Sequence, residues 1–296
     1  MNIRDLDPER DAAAIAALIR SVHPTATINA ASWLHGQRST PERARDRTWV
    51  AEVDGEVVGR TLAFLNFFGG TAARVYVAVR EPARGQGIGS ALYERALEHA
   101  LSLEPSAIAT DFYENDAGVR FAKARGFRAV RAERIAVLDP RTVSGRPSAE
   151  VRPLTEANLR DAHRIDETAT REMPQLEQIT EIPYDEWVQF VVEEPLFARE
   201  GSFLAYADGE AAALSLLLAD RESGRGTNMF TGTLPEFCGR GLGTAAKLAS
   251  IHWAAENGIT QMATSNDETN EAMLAINRKL GYRPAGRRVE YVAQST

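Results

Sequence analysis

The chain has 296 residues, 44% of them hydrophobic and 25% charged, with a formal net charge of −7; this suits a globular protein of two ordinary domains and argues against a nucleic-acid-binding surface, which needs clustered Lys and Arg. One cysteine, Cys238, excludes an intrachain disulfide and a cysteine-based metal cluster, and it fits a reducing compartment. The longest apolar run is too short to span a bilayer and the start lacks a signal-like core, so the expectation is a soluble, cytoplasmic protein with no membrane partner and no metal.

In chain order, the hydrophobic pattern predicts a strand over 3–6 and a helix over 11–20, with Ile15, Leu18 and Ile19 on one face. Strands at 49–53 and 56–64 flank Asp54-Gly55, two residues that tolerate the positive φ of a tight hairpin. A strand at 74–79 runs into a glycine-rich loop and then a helix over 88–101, where Ile88, Leu92 and Ala96 recur every four residues. A strand at 106–113 and a helix at 116–125, stopped by Gly126 as a left-handed cap, precede two closing strands, with room for a hairpin, that end near Leu138. Pro, Gly and Ser then break all periodicity across 139–148. Beyond that break come a hairpin at Asp208-Gly209, a strand to Leu234, a second glycine loop, a helix to Glu256, a strand at 260–264 and a helix ended by Gly281.

The second series repeats the first. Trp49-Val50-Ala51-Glu52-Val53-Asp54-Gly55-Glu56 is echoed by Phe203-Leu204-Ala205-Tyr206-Ala207-Asp208-Gly209-Glu210, and Arg84-Gly85-Gln86-Gly87-Ile88-Gly89-Ser90 by Cys238-Gly239-Arg240-Gly241-Leu242-Gly243-Thr244, both at an offset of 154. Asn115 with Gly126-Phe127 matches Asn270 with Gly281-Tyr282 at 155. A period this long marks a duplicated domain rather than a solenoid unit. The seam is set at residue 145, giving halves 1–145 and 146–296.

Each glycine loop joins a strand to a helix, where close backbone approach, unpaired N–H groups and the helix dipole all favour a bound pyrophosphate. A dinucleotide fingerprint would sit after the first strand of its domain, whereas three or more strands come first here. A nucleotide-triphosphate loop needs Gly-Lys-Ser/Thr, which neither half has. A third reading rests on resemblance: Arg84-Gly85-Gln86-Gly87-Ile88-Gly89 is similar to the coenzyme A loop [Arg/Gln]-x-x-Gly-x-[Gly/Ala] of the GCN5-related acetyltransferases, while a mere glycine turn would not explain two copies in equivalent places.

On these motifs the chain resembles the GCN5-related N-acetyltransferases (GNAT superfamily), twice over, and its second half is similar to mycothiol-synthase-like tandem enzymes. The resemblance implies an α/β fold of two tandem GNAT domains, each a mixed, splayed sheet flanked by helices. It implies acetyl-CoA as cofactor, held by Arg84, Gly85, Gln86, Gly87, Ile88, Gly89 and Ser90 in the first half and by Gly239, Arg240, Gly241, Leu242, Gly243 and Thr244 in the second. Val77 and Val79, and Thr231 and Thr233, belong by resemblance to the strand that meets the thioester arm, and Asn115, Asn270 and Asn277 to the downstream cofactor segment.

Many members use a tyrosine four residues before the Gly of Gly-Phe to protonate the leaving thiolate. Those positions hold Ala122 and Asn277 here, so Asn277 is at most a hydrogen-bond donor in that role. Candidate bases are Glu81 and Asp111 in the first half and Asp267 and Glu268 in the second, with a surface or structural carboxylate as the plainer reading of each. The second half has the fuller helix motif and a substrate-like segment over 173–195, and is expected to be catalytic; the first has the better loop. The expected activity is acetyl transfer to a small-molecule amine. Alternatives are a non-catalytic acetyl-CoA-binding protein and a protein-directed acetyltransferase. The sequence does not set an oligomeric state.

Overall fold

A computed structural model describes residues 1–172 and 180–294. The first half runs β1 (Asn2–Asp5), α1 (Pro8–Val22), α2 (Ala30–Ser39), β2 (Arg47–Val53), β3 (Glu56–Leu65), β4 (Ala73–Val79), α3 (Ile88–Ser102), β5 (Ala107–Tyr113), α4 (Asp116–Lys123) and β6 (Arg128–Leu138). The second runs β7 (Glu150–Pro153), α5 (Leu159–Arg171), α6 (Tyr184–Trp187), β8 (Phe203–Ala207), β9 (Glu210–Asp220), β10 (Arg225–Thr233), α7 (Leu242–Glu256), β11 (Gln261–Asp267), α8 (Glu271–Lys279) and β12 (Arg283–Gln294). Residues 173–179, part of the substrate-like segment, lie outside the described residues.

Local chemistry sets most boundaries. Asp54 and Gly55 both take positive φ, at 51° and 83°, and close the β2–β3 hairpin; Asp208 and Gly209 do the same for β8–β9 at 54° and 86°. Asp7 caps α1 by accepting from the Arg10 N–H, and Pro8 opens the helix. Helix α2 was not anticipated; its N-cap Asn29 accepts from the Ser32 N–H, and Trp33 buries against α1 in a small core cluster.

All twelve strands form one sheet, in the order β1-β2-β3-β4-β5-β12-β6-β11-β10-β9-β8-β7. The expected closing hairpin is absent from the first half, which ends in the single long strand β6. Residues 128–138 contain no Gly, Pro, Asn or Asp with which to turn. Strand β6 instead pairs with β11 of the second half, and β12 pairs with β5 of the first, so the two halves exchange their last strands. The exchanged strands pair antiparallel at the centre, with register shifts at Pro284/Gly286 and Glu290/Tyr291. Residue 145 lies in the irregular stretch between β6 and β7, and each half so delimited sends its final strand into the sheet of the other.

The sheet has a helix layer on each face. Alternation along β2 places Val50 against α1, while Trp49 and Ala51 fall in the clusters built on α3. Val289 and Tyr291 of β12 are buried in the same cluster as Ala122 of α4, and Tyr291 stacks on Phe112 of β5 at 4.9 Å.

The opposite face of the central strands is ionic. Arg74 of β4 pairs with Asp111 of β5 at 3.2 Å and Glu290 of β12 at 2.6 Å; Arg288 of β12 pairs with Glu133 of β6 at 2.7 Å; Arg131 of β6 pairs with Asp267 of β11 at 2.6 Å. This lattice crosses from one half to the other through the exchanged strands.

Because β12 covers the β5 edge, residues 1–145 alone are expected not to persist as a folded monomer, but to aggregate or dimerise by exchanging β6. Size-exclusion chromatography with circular dichroism checks this. Co-expression with residues 146–296 restores a one-to-one complex, and a folded 1–145 monomer contradicts the topology.

Candidate functional site

Both glycine loops have the shape their sequence predicts. Gly87 and Gly241 sit at φ 81° and 79° as the N-caps of α3 and α7, and neither helix start has a side-chain cap. The first-turn N–H groups are thereby left for a ligand, with the helix dipole favouring an anion. Residues Arg84, Gly85, Gln86 and Gly87 are exposed, and so are Gly239, Arg240 and Gly241, while Ile88, Leu242 and Gly243 are buried beneath them. These backbones fit a pyrophosphate.

Side chains around the two loops differ. In the first, Arg84 donates to the Val79 carbonyl at 3.0 Å and Gln86 to the Pro82 carbonyl at 3.2 Å. Arg125 of the α4 terminus lies over the Phe121 ring at 3.5 Å and donates to Ser90 Oγ at 2.8 Å, bringing a guanidinium to the first turn of α3. Sequence reasoning missed Arg125, although it directly precedes the Gly126 cap. In the second loop, Arg240 is drawn aside to Asp208 at 2.8 Å. A cavity of about 380 Å³ lies behind it, lined by Ser144, Arg146 and Ser148 of the connector and by Thr244, Lys279 and Gly281.

Beyond each loop the sheet opens. Strand β4 is in register with β5 only at Ala73 and Arg74, and β10 with β11 only from Arg225 to Thr227. Val77 and Val79 pack towards Ile88 and Leu92 of α3, and Thr231 donates to Asn228 at 2.8 Å. A Cβ on Gly243 would stand 2.9 Å from Thr233 Oγ1, which shows how closely α7 approaches β10. The β9–β10 register shifts between Asn228 and Phe230, a bulge that β4 lacks.

On the face away from α3, next to the β4–β5 opening, lies a cavity of about 470 Å³. Its walls include His23 beyond α1, Arg60 of β3, Tyr76 of β4, Asp111 and Tyr113 of β5, and Arg288 of the exchanged β12. Tyr76 donates to Asp111 at 2.6 Å. Burial, with Asp111 beside it, holds the Tyr76 phenol protonated well above its ordinary range. The corresponding face of the second half is filled: a Cβ on Gly232 would stand 2.6 Å from both Ala169 of α5 and the Phe230 ring, and Trp187 packs in the same core.

The anticipated acid–base residues are scattered. Asn277 is 5% exposed with both ends of its amide engaged; it accepts from Lys247 at 2.7 Å and donates to Asn266 at 2.6 Å. Lys247 is fully buried, and burial lowers its ammonium to about 7. For Asp267, burial raises the carboxyl, but hydrogen bonds from Thr269 and the pairing with Arg131 outweigh it and hold the group below its usual range. Glu81 is exposed, in the short turn after β4. Asn115 and Asn270 are the N-caps of α4 and α8, accepting from Gly118 at 2.9 Å and Met273 at 3.1 Å. Among the described residues, no group of His, Cys, Asp and Glu has the arrangement of a metal site, and no helix is long and apolar enough to cross a membrane.

The glycine loop, the strand opening and the helix behind them are each present twice, once in each half. The sequence profile of the acetyltransferase (GNAT) family matches residues 16–127 and again 162–282, and the chain belongs to that family. Solved structures share the fold over the whole length. The tandem GNAT protein from the clavulanic acid biosynthesis pathway, determined without acetyl-CoA, superposes with a TM-score of 0.77 at 20% identity, covering 100% of this chain and 98% of that one. A GCN5-related N-acetyltransferase from Sphaerobacter thermophilus gives 0.72 at 20% identity, covering 99% and 95%, and a GNAT-family acetyltransferase from Colwellia psychrerythraea gives 0.64 at 11%, covering 99% and 100%. No curated protein matches the sequence significantly.

His23 reports on the cavity. Burial lowers its imidazole from 6.5 to about 4; Asp111 opposes the shift, Arg60 and Arg288 add to it, and the Tyr113 ring lies 5.2 Å away. Above pH 6.5 both folded and unfolded chains hold it neutral. As pH falls towards 4 the unfolded chain takes up the proton first, so stability drops. Between pH 7.5 and 4.5 the wild type is expected to lose about 2 kcal/mol more than His23→Gln, read from urea unfolding at the two pH values.

Proposed function

We propose that the protein is an acetyl-CoA-dependent N-acetyltransferase for a small-molecule amine, and that transfer takes place at the β4–β5 opening of the first half. One observation carries this reading: the intact loop at the start of α3 and the cavity of about 470 Å³ lie on opposite faces of the same opening. This departs from the sequence expectation, which favoured the second half. The packing of α5 against Gly232 argues against an acceptor there.

Bound at the first loop, acetyl-CoA supplies an activated acetyl thioester. The N–H groups opening α3, with Arg84 and Arg125, hold its phosphates. Past Arg74, β4 has no register partner in β5 among the described residues, and backbone groups there are available to the pantetheine arm and the thioester carbonyl. Asp111, steadied by Arg74 and the Tyr76 hydroxyl, faces the cavity and orients the acceptor amine. The cavity is bounded by the α1–α2 connection and by strands of both halves, and its volume of about 470 Å³ is on the scale of a small-molecule site.

A non-catalytic cofactor site at the second loop is a secondary reading, supported by Arg146, Lys279 and Thr244 around the cavity behind α7.

Gly87→Glu and Gly241→Glu share the strain of a positive φ and differ only in the loop they block. The first is expected to lower acetyl-CoA-dependent turnover by about 100-fold or more, the scale of losing two charge-assisted hydrogen bonds to the phosphates; the second is expected to leave it within a few-fold. Thiol release with an amine panel measures both.

A further inference from the structure

Every cation of the central lattice has a carboxylate partner, and Arg60 stands apart from it. Arg60 sits in the middle of β3, opposite Val50 on β2 and Ala78 on β4, on the face that carries Leu62 and Phe64 into the cavity. Among the described residues no hydrogen bond or ion pair reaches its guanidinium. The charged and titratable groups that face it are the Tyr76 phenol, whose hydrogen bond already goes to Asp111, and the imidazole of His23. Burial lowers the guanidinium from 12.5 to about 10, so it keeps its charge at neutral pH. An unpaired charge in such surroundings is costly unless something compensates it.

Two strands along the sheet, β5 supplies the other sign. Asp111 lies between Arg74 at 3.2 Å and Arg288 at 3.7 Å with the Tyr76 hydroxyl upon it. Leu62, Phe64 and Ile135 give the remaining wall an apolar stretch. One guanidinium, one carboxylate and an apolar side make a site with separated poles.

We infer that the acceptor is an amino-carboxylate, with its carboxylate on Arg60, its amine towards Asp111 and the β4–β5 opening, and its apolar part along Leu62 and Phe64. A guanidinium fork matches a carboxylate with two parallel hydrogen bonds. A phosphate ester, carrying nearly twice the charge, would face only one free cation with Asp111 close by. This inference rests on the proposed transfer site and adds the chemical class of its substrate.

The test compares α- and ω-amino acids with their own carboxamides on the intact protein, by calorimetric binding and by acetyl-CoA-dependent thiol release. Acids are expected to bind and turn over in preference to their amides. Arg60→Gln is expected to raise KM for the best acid by about 10- to 100-fold, the range for one charge-assisted pair, with kcat and acetyl-CoA affinity little changed. Arg60→Lys restores part of the loss, and a thermal melt confirms that each variant folds. If no acid is preferred over its amide, or if Arg60→Gln binds the acid as well as wild type, the carboxylate inference is overturned. Competition by inorganic phosphate where amino acids do not bind overturns it in favour of a phosphorylated ligand. Absence of acetyl-CoA binding, or of thiol release with every amine, instead sinks the transfer reading on which the inference rests.

Discussion

The antiparallel pairing of β6 with β12 is the constraint on which the rest of the molecule depends. Each strand leaves its own half and lies between the other half and its sequence-distant twin. Neither half then has a free edge at the centre of the sheet, and the two cannot separate without unzipping three ladders, β5–β12, β12–β6 and β6–β11. The same exchange brings Arg288 and Glu290 from the end of the chain to Asp111 and Arg74 in its first half. The cavity beside the β4–β5 opening is therefore walled partly by a strand that enters more than 140 residues later in the sequence.

Ionic pairing on this face fixes geometry more than it adds stability. Partly buried pairs contribute little net free energy, because desolvation offsets much of the attraction, yet removing one member costs about 3–5 kcal/mol by leaving its partner uncompensated. Arg74, Asp111, Glu290, Arg131, Glu133, Arg288 and Asp267 consequently hold one another in place. Arg60 is excluded from that mutual compensation, which makes its charge available. The second half resolved the same scaffold differently: its inner face is packed with Phe230, Ala169 and Trp187, and its buried Lys247, its ammonium lowered by burial to about 7, is tied to Asn277.

Much of the fold was legible because its signals are local. Asp54-Gly55, the Gly126 cap and the paired loops are conformational requirements written into a few adjacent residues, and their repetition exposed the duplication. The strand exchange left no such mark. The alternation of 128–138 and 283–294 is the same whichever sheet they join, and only the lack of a turn residue argued against a closing hairpin. The site was half legible for the same reason. The backbone shape of the two loops followed from glycine and helix-start chemistry. Arg60, Arg125 and the lattice escaped because a single Arg in an alternating strand or helix end reads as surface until its neighbours are known. Asn115 and Asn270 were visible as residues, and the structure uses them as helix caps.

The most direct measurement is amide hydrogen exchange of the intact protein with and without acetyl-CoA. The account predicts slowed exchange across residues 85–90 and along β4 beyond Arg74, where the ladder to β5 is open. Protection confined to residues 239–244 and β10, with none at 85–90, would contradict it and move the transfer site to the second half.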